Sequence, residues 1–297
     1  MSSVLYDAQG PKAKRRNVVI SVVFVVVLAA VLWWMYDQLD KKGQLEWGLW
    51  KPFFEAEAWS TYLWPGLLNT LKAAALAMVI ALPLGAFLGI ARLSDHTWVR
   101  VPASVVVEFF RAIPVLVLMI FGLALFSEYT DVSTDDRPLY AVVTGLVLYN
   151  ASVLAEIVRA GILSLPRGQA EAASAIGLRK NQVMRFILLP QAVTAMLPAI
   201  VSQLVVIVKD TALGGAVLTF PDLMASVSPM SSYYGANTIA SFTVVALIYI
   251  VINFSLTTFA SWLERRLRQG KKSTGAVVGA DAVDELSTPG EHVEGKK

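Results

Sequence analysis

Six stretches of this chain stay apolar for roughly 20 residues each, and that pattern limits its fold more than any other feature. They run Val18–Tyr36, Gly66–Ala91, Ala103–Phe126, Leu139–Val158, Gln191–Val208 and Thr238–Leu263. Each is long enough to cross a hydrocarbon layer about 30 Å thick. Only helices and closed barrels satisfy every backbone amide in lipid. These runs are continuously apolar rather than alternating, so they predict helices. Of 297 residues, 56% are hydrophobic and 16% charged, a balance that calls for a bilayer as solvent. The expected class is an all-α integral membrane protein with about six transmembrane helices. Pro83, Pro114 and Pro198 lie inside spans, where each removes a backbone donor and is expected to kink its helix.

The connections between spans predict an orientation. Lys12, Lys14, Arg15 and Arg16 precede the first span, and Arg92 and Arg100 lie between the second and third. Arg159, Arg167, Arg179, Lys180 and Arg185 lie between the fourth and fifth, and Arg265, Arg266, Arg268, Lys271 and Lys272 follow the sixth. Taken together the alternate loops are poorer in basic residues; the one after the third span carries Glu128, Asp131, Asp135, Asp136 and Arg137. The positive-inside rule then places both termini in the cytoplasm. The basic segment 1–17 and the first span also suit a secretory signal. That span exceeds the usual apolar length, however, and ends in Trp33, Trp34 and Tyr36 rather than small cleavage-site residues, so a retained helix is expected.

Residues 37–65 form an outer connection bearing Trp47, Trp50, Trp59 and Trp64. It is expected either to lie flat at the headgroups or to pack on its own protein. The tail, residues 266–297 and above all from Gly270 onward, is polar and is expected to be disordered.

Chemistry is excluded as firmly as it is suggested. There are no cysteines, and His96 and His292 stand far apart, so thiol chemistry, zinc sites and histidine acid–base pairs have no basis. No metal site, cofactor or nucleic-acid partner is expected on this chain. It has no G-x-x-x-x-G-K-[ST] phosphate loop, so it is not expected to hydrolyse ATP, and no catalytic constellation stands out.

The informative stretch is the connection 160–190. Glu171–Ile176 consists of good helix formers, and Gly177 suits the left-handed conformation that ends a helix. Asn181–Leu188 predicts a second short helix with Val183, Phe186 and Ile187 on one face, after which Pro190 turns the chain into the fifth span. A helix–glycine–helix elbow with a small alanine face suits a groove on another protein.

Glu171-Ala172-Ala173, then Gly177, then Ile187-x-Leu189-Pro190 resembles the loop signature of ABC importer permeases at every fixed position. The flanks, Ala155-Glu156-Ile157-Val158-Arg159-Ala160-Gly161-Ile162, Lys209-Asp210-Thr211-Ala212-Leu213 and Glu108-Phe109-Phe110-Arg111-Ala112-Ile113-Pro114, are similar to the polar amino acid branch. The likeness spans Gly66 to Arg265, which implies a five-helix permease core, residues 66–265, plus one extra N-terminal helix, 18–36. Val4-Leu5-Tyr6-Asp7 and the basic cluster after it resemble glutamate permeases of this branch, so glutamate is the amino acid implied. In that family the elbow couples to a cytosolic ATPase. The resemblance therefore implies an ATPase dimer holding ATP and magnesium, a second permease subunit (a copy or a different chain) and an extracytoplasmic amino acid-binding protein. A self-sufficient secondary transporter or channel is the alternative, although no inverted repeat is evident.

Charges at bilayer depth are expensive and are functional or paired. Glu108 with Arg111, and Glu156 with Arg159, stand three apart and are expected to form ion pairs along their own helices, or else to line the pathway. Lys209, Asp210 and Thr211, at the outer end of the fifth span, are expected to meet a zwitterion, unless they serve only as caps and snorkelling groups.

Overall fold

The computed structural model describes residues 10–269. The Val4–Asp7 stretch, Lys271, Lys272 and the tail from Gly270 lie outside the described residues. The described chain is built of helices: α1 (Pro11–Lys41), α2 (Ala56–Ala91), α3 (Thr97–Ala112), α4 (Val115–Tyr129), α5 (Arg137–Leu163), α6 (Arg167–Ala175), α7 (Lys180–Val217), α8 (Val227–Tyr233) and α9 (Thr238–Gln269). Five of them are long and apolar enough to cross a membrane, or six if α3 and α4 count as one span. Because α9 continues to Gln269, residues 266–269 are helix rather than tail.

The chain divides into two compact units, the first comprising Met1–Leu68 and Pro221–Ile248. Here α1 carries a continuous apolar run from Val18 to Tyr36 and none of its residues is buried, as suits a helix whose solvent is lipid. Gly43, at φ +65°, turns the chain out of it. The tryptophan-bearing connection then packs on its own unit. Pro52 and Phe53 are buried, Trp50 Nε1 donates to the Gln44 carbonyl (3.1 Å), and Trp59 Nε1 donates to the Phe53 carbonyl (2.8 Å). Asn237, itself buried, donates to the Leu49 carbonyl at 3.0 Å. This is the packing that one of the two expectations describes, and it leaves Trp47 and Trp64 exposed.

The second unit is Asn69–Phe220 with Tyr249–Lys297. Helix α5 is its spine and buries residues along its length, among them Val142, Leu146, Leu154 and Val158. Small residues let α2 approach it closely. Ala77, Ala81, Gly85 and Gly89 recur at every fourth position, and both alanines are fully buried. A Cβ placed on Gly89 would sit 2.6 Å from the Ala155 carbonyl oxygen, and one on Gly85 would sit 2.8 Å from that of Ala151. In lipid, where apolar surface gains nothing by leaving the solvent, such backbone approach is the main source of helix–helix attraction. Helices α5 and α7 are also tied by buried amides: Gln203 Nε2 donates to Asn150 Oδ1 (2.5 Å), and Asn150 Nδ2 donates to the Leu146 carbonyl (2.7 Å).

The third span departs from expectation. In place of one kinked helix over Ala103–Phe126, α3 and α4 are separate and bent by 100° at Ile113–Pro114. Pro114 forces Ile113 out of the helical region, to ψ 130°, and itself takes ψ 134°. Helix α4, with 15 residues, is about 22 Å long and does not span alone. Pro83 and Pro198, by contrast, sit inside the continuous helices α2 and α7.

Candidate functional site

The elbow between α5 and α7 begins with α6. Gly177 has φ +88°, and a Cβ there would meet nothing within 4 Å, so backbone conformation rather than space requires glycine. Around it Gly177 N–H donates to the Ser174 carbonyl (2.9 Å) and Leu178 N–H to the Ala173 carbonyl (3.2 Å). These are the two bonds of a Schellman stop, which satisfy carbonyls the helix end would leave bare. Ala173 is buried, whereas Glu171, Ala172, Ala175 and Ile176 are exposed, Ile176 by 80%. An aliphatic side chain that open beside two alanines is a contact surface without a partner among the described residues.

The second arm restarts at Arg179, whose N–H is capped by Gln182 Oε1 at 2.9 Å. Lys180 is ion-paired with Asp95 in the turn between α2 and α3. That hydrogen bond first, and the ammonium charge second, hold the Asp95 carboxyl below the usual carboxylate range. Val183–Leu188 is a π-helical turn, not the regular helix expected from Asn181. Its wider pitch shifts the register, so Val183 is buried and Ile187 half-buried while Phe186 is 60% exposed. The face expected to hold all three therefore holds two. Pro190 does not turn the chain either: Lys180–Val217 is one helix of 38 residues. A proline clashes with the carbonyl four residues back, here that of Phe186, and the π turn moves that carbonyl aside. Leu188 and Leu189 pack on Val158, Ile162, Ala192 and Met196, which anchors this arm to the end of α5.

A cluster of five charges lies beside the elbow's base. Arg92, at the end of α2, has a side chain only 8% exposed. Its guanidinium donates to Glu156 Oε2 at 2.6 Å and to Glu108 Oε1 at 3.3 Å. Glu156 also accepts from Arg159 (2.8 Å) and faces Arg111 at 3.6 Å. The Glu156–Arg159 pair forms along α5, as expected. Glu108 and Arg111 instead turn to Arg92 and Glu156, because α3 passes the end of α2 and the flank of α5, where stronger partners lie. One carboxylate, Glu156, thus joins three guanidinium groups from three helices. In sequence Arg92 reads only as an orientation charge, since its place at the end of an apolar run gives no sign of a partner 64 residues away.

The residues expected to meet a substrate are not gathered in one place. Helix α7 extends well past Val208, so Lys209 lies eight residues inside its end, about 12 Å along the axis. Lys209 faces a cleft of about 410 Å³ lined by Tyr249, Asn253 and Thr257 of α9, where Asn253 Oδ1 is buried with no hydrogen-bond partner. Asp210, the next residue round the helix, faces a different recess of about 420 Å³ with Arg111, Tyr149, Pro114 and Val206. Thr211 faces neither: it is fully buried and donates to the Val208 carbonyl at 2.9 Å. The Asp210 recess therefore offers one anion, one cation and one phenol. Arg111, expected as an ion-pair or pathway charge, lies in this recess, whereas sequence reasoning does not single out Tyr149, because the 100° bend that forms the recess leaves only Pro114 as its trace.

Residues 81–269, the elbow and the charge cluster among them, match the family described as binding-protein-dependent transport system inner membrane component. This chain belongs to that family. The glutamate transport system permease protein GluD of Corynebacterium glutamicum is 47% identical to the permease over 78% of this chain and 85% of its own length. The glutamate/aspartate import permease protein GltK of Escherichia coli is 35% identical, over 69% of this chain and 93% of its own. Among solved structures, the permease resembles a chain of an amino acid ABC transporter crystallised with histidines. The identity is 29% and the TM-score 0.61, covering 69% of this chain and 93% of that one.

Proposed function

We propose that the permease carries glutamate inward across a bacterial cell membrane as the non-catalytic subunit of an ATP-driven importer. The observation that carries this reading is the 47% identity to a glutamate permease over most of both chains, joined to an exposed elbow with no partner among the described residues. Both termini and the elbow face the cytoplasm, in keeping with the basic loops. Glu171, Ala172, Ala173 and Gly177 form the surface that docks on an ATPase dimer, while Ile187, Leu189 and Pro190 join that surface to α7. ATP and magnesium belong to the ATPase. A second permease subunit completes the membrane assembly, and an extracytoplasmic binding protein delivers the amino acid.

Within the membrane, Asp210 receives the ammonium of the passing amino acid and Arg111 a carboxylate. These are the complementary charges a zwitterion needs at low dielectric. Lys209, on the separate cleft beside α9, offers a carboxylate contact at a different position along the route rather than within the Asp210 recess. Glu156 holds Arg111 in place. The test is uptake of labelled glutamate by the reconstituted complex, with basal ATP hydrolysis measured alongside. A lost charge-assisted contact costs about 1.5–3 kcal/mol, so Asp210→Asn should lower uptake roughly ten- to a hundredfold while basal hydrolysis persists. Unchanged uptake removes Asp210 from the pathway, and preference for arginine over glutamate by the unmutated complex overturns the substrate.

A further inference from the structure

The turn joining α2 to α3 and the first residues of α7 enclose a cavity of about 750 Å³ that the transport reading does not use. One part of its wall is apolar and comes from Phe87, Ile90 and Val99; another is basic and comes from His96, Arg179 and Lys180. Asp95 is the sole acid of that wall among the described residues, and it is taken up by Lys180. Arg179 is exposed and has no acidic partner among the described residues. Arg100 donates to the carbonyl of Ser94, a residue of that wall, at 3.4 Å and adds its charge near Asp95, so one carboxylate there faces several cations. The cavity thus keeps a cationic excess beside an apolar wall.

A second observation fixes what kind of molecule suits it. Phe87, in the wall, is 69% exposed. Helix α3 carries Trp98, Val101, Val105 and Phe109, all exposed, at spacings of three and four. That spacing puts them in one stripe along the helix. Trp98, 76% exposed, leads that stripe at the end nearest the cavity, where an indole marks the headgroup level. An acyl chain running along such a surface keeps its lipid solvent, and the headgroup reaches the basic rim. A free nucleotide or phosphate would leave the Phe87–Ile90 wall wet, and a zwitterionic lipid would leave Arg179 without a counter-charge.

We propose that this cavity binds one anionic phospholipid of the inner leaflet, its phosphate on Arg179 and Arg100 and its chain on Phe87 and Ile90. Basic pockets between membrane helices on the cytoplasmic side are suited to such headgroups. The lipid touches both segments joined by the Asp95–Lys180 pair, and so braces the start of α7 three residues beyond the glycine stop of the elbow. Bound lipid raises the fraction of elbows set for docking. The assignment rests on the cytoplasmic placement of this turn proposed above.

The test uses the assembled complex in detergent, titrated with short-chain phosphatidylglycerol and, separately, phosphatidylcholine, with bound lipid counted by native mass spectrometry. Phosphatidylglycerol should bind selectively, and Arg179→Gln and Arg100→Gln should each weaken it about fivefold, since one basic side chain near a membrane surface contributes about a factor of five. Phosphatidylcholine binding should not change. In vesicles, substrate-stimulated ATP hydrolysis should rise when phosphatidylglycerol is added to phosphatidylcholine, and less so for Arg100→Gln. Equal binding of the two lipids, or unaltered binding by both variants, overturns the site. Displacement of the lipid by millimolar inorganic phosphate makes it a free-anion pocket and overturns the lipid assignment. Selective lipid binding by a complex that takes up no glutamate would keep the site and sink the transport reading, so the two can fail separately.

Discussion

Gly177→Val is the most direct test of the elbow, because the structure isolates a single cause. No atom lies within 4 Å of a Cβ at this position, so any effect comes from the backbone. At φ +88° an L residue is strained by roughly 1–2 kcal/mol, and a β-branched one lies at the upper end or beyond. The alternative is to abandon the left-handed stop and its two hydrogen bonds, at 2.9 and 3.2 Å. Each bond contributes about 0.5–1.5 kcal/mol net. Either route costs about 2 kcal/mol, so the fraction of elbows in the docking geometry falls about thirtyfold. The variant should insert and assemble as a membrane protein, since nothing buried changes. Its substrate-stimulated ATP hydrolysis and glutamate uptake in proteoliposomes should fall steeply together. Asn tolerates left-handed backbone better than Ala or Val, so the series should run Gly, Asn, Ala, Val in descending activity. Full activity for Gly177→Val, or an order that follows side-chain volume rather than backbone preference, would refute the reasoning.

Three further outcomes are expected. Single cysteines at Ser133 and Ser174, both exposed, should respond oppositely to an impermeant thiol reagent on intact cells; labelling at Ser174 without Ser133 reverses the orientation. Glu156→Gln leaves three arginines without their shared carboxylate, so it should lower the thermal midpoint of the purified protein clearly more than Glu108→Gln, whose side chain is 68% exposed; equal shifts would dissolve the idea of a hub. Gly89→Ala forces α2 off the Ala155 carbonyl and should destabilise by about 1–3 kcal/mol, whereas Gly48→Ala, with open space around it, should be nearly silent in the same melt.

Much of the permease could be read from its residues, and what escaped did so for physical reasons. Span number and helical class follow from apolar length, which bilayer thickness makes decisive. The ends were drawn short: Leu139–Val158 became Arg137–Leu163, and Gln191–Val208 became Lys180–Val217, because hydropathy stops at the first charge while backbone hydrogen bonding does not. The stop at Gly177 was legible because it is local. The π turn at Val183–Leu188 was not, because Pro190 reads equally well as a corner or as a helix residue with a widened turn before it. Pairing by sequence spacing succeeded for Glu156 with Arg159 and failed for Glu108 with Arg111, since nothing within α3 tells of Arg92. Adjacency misled at Lys209–Asp210–Thr211: three consecutive helical residues point in three directions, and here they meet three different surroundings.

Helix α7 begins at Lys180, beside the elbow, and runs unbroken past Asp210. The buried Gln203–Asn150 bond pins it to α5 along the way. Counted along the axis, the pin lies about 35 Å from Lys180 and about 10 Å from Asp210. The packing of Leu188 and Leu189 on Val158 and Ile162 holds the same helix to α5 at a second height, so the elbow and the Asp210 carboxylate belong to one continuous backbone braced at two points between them.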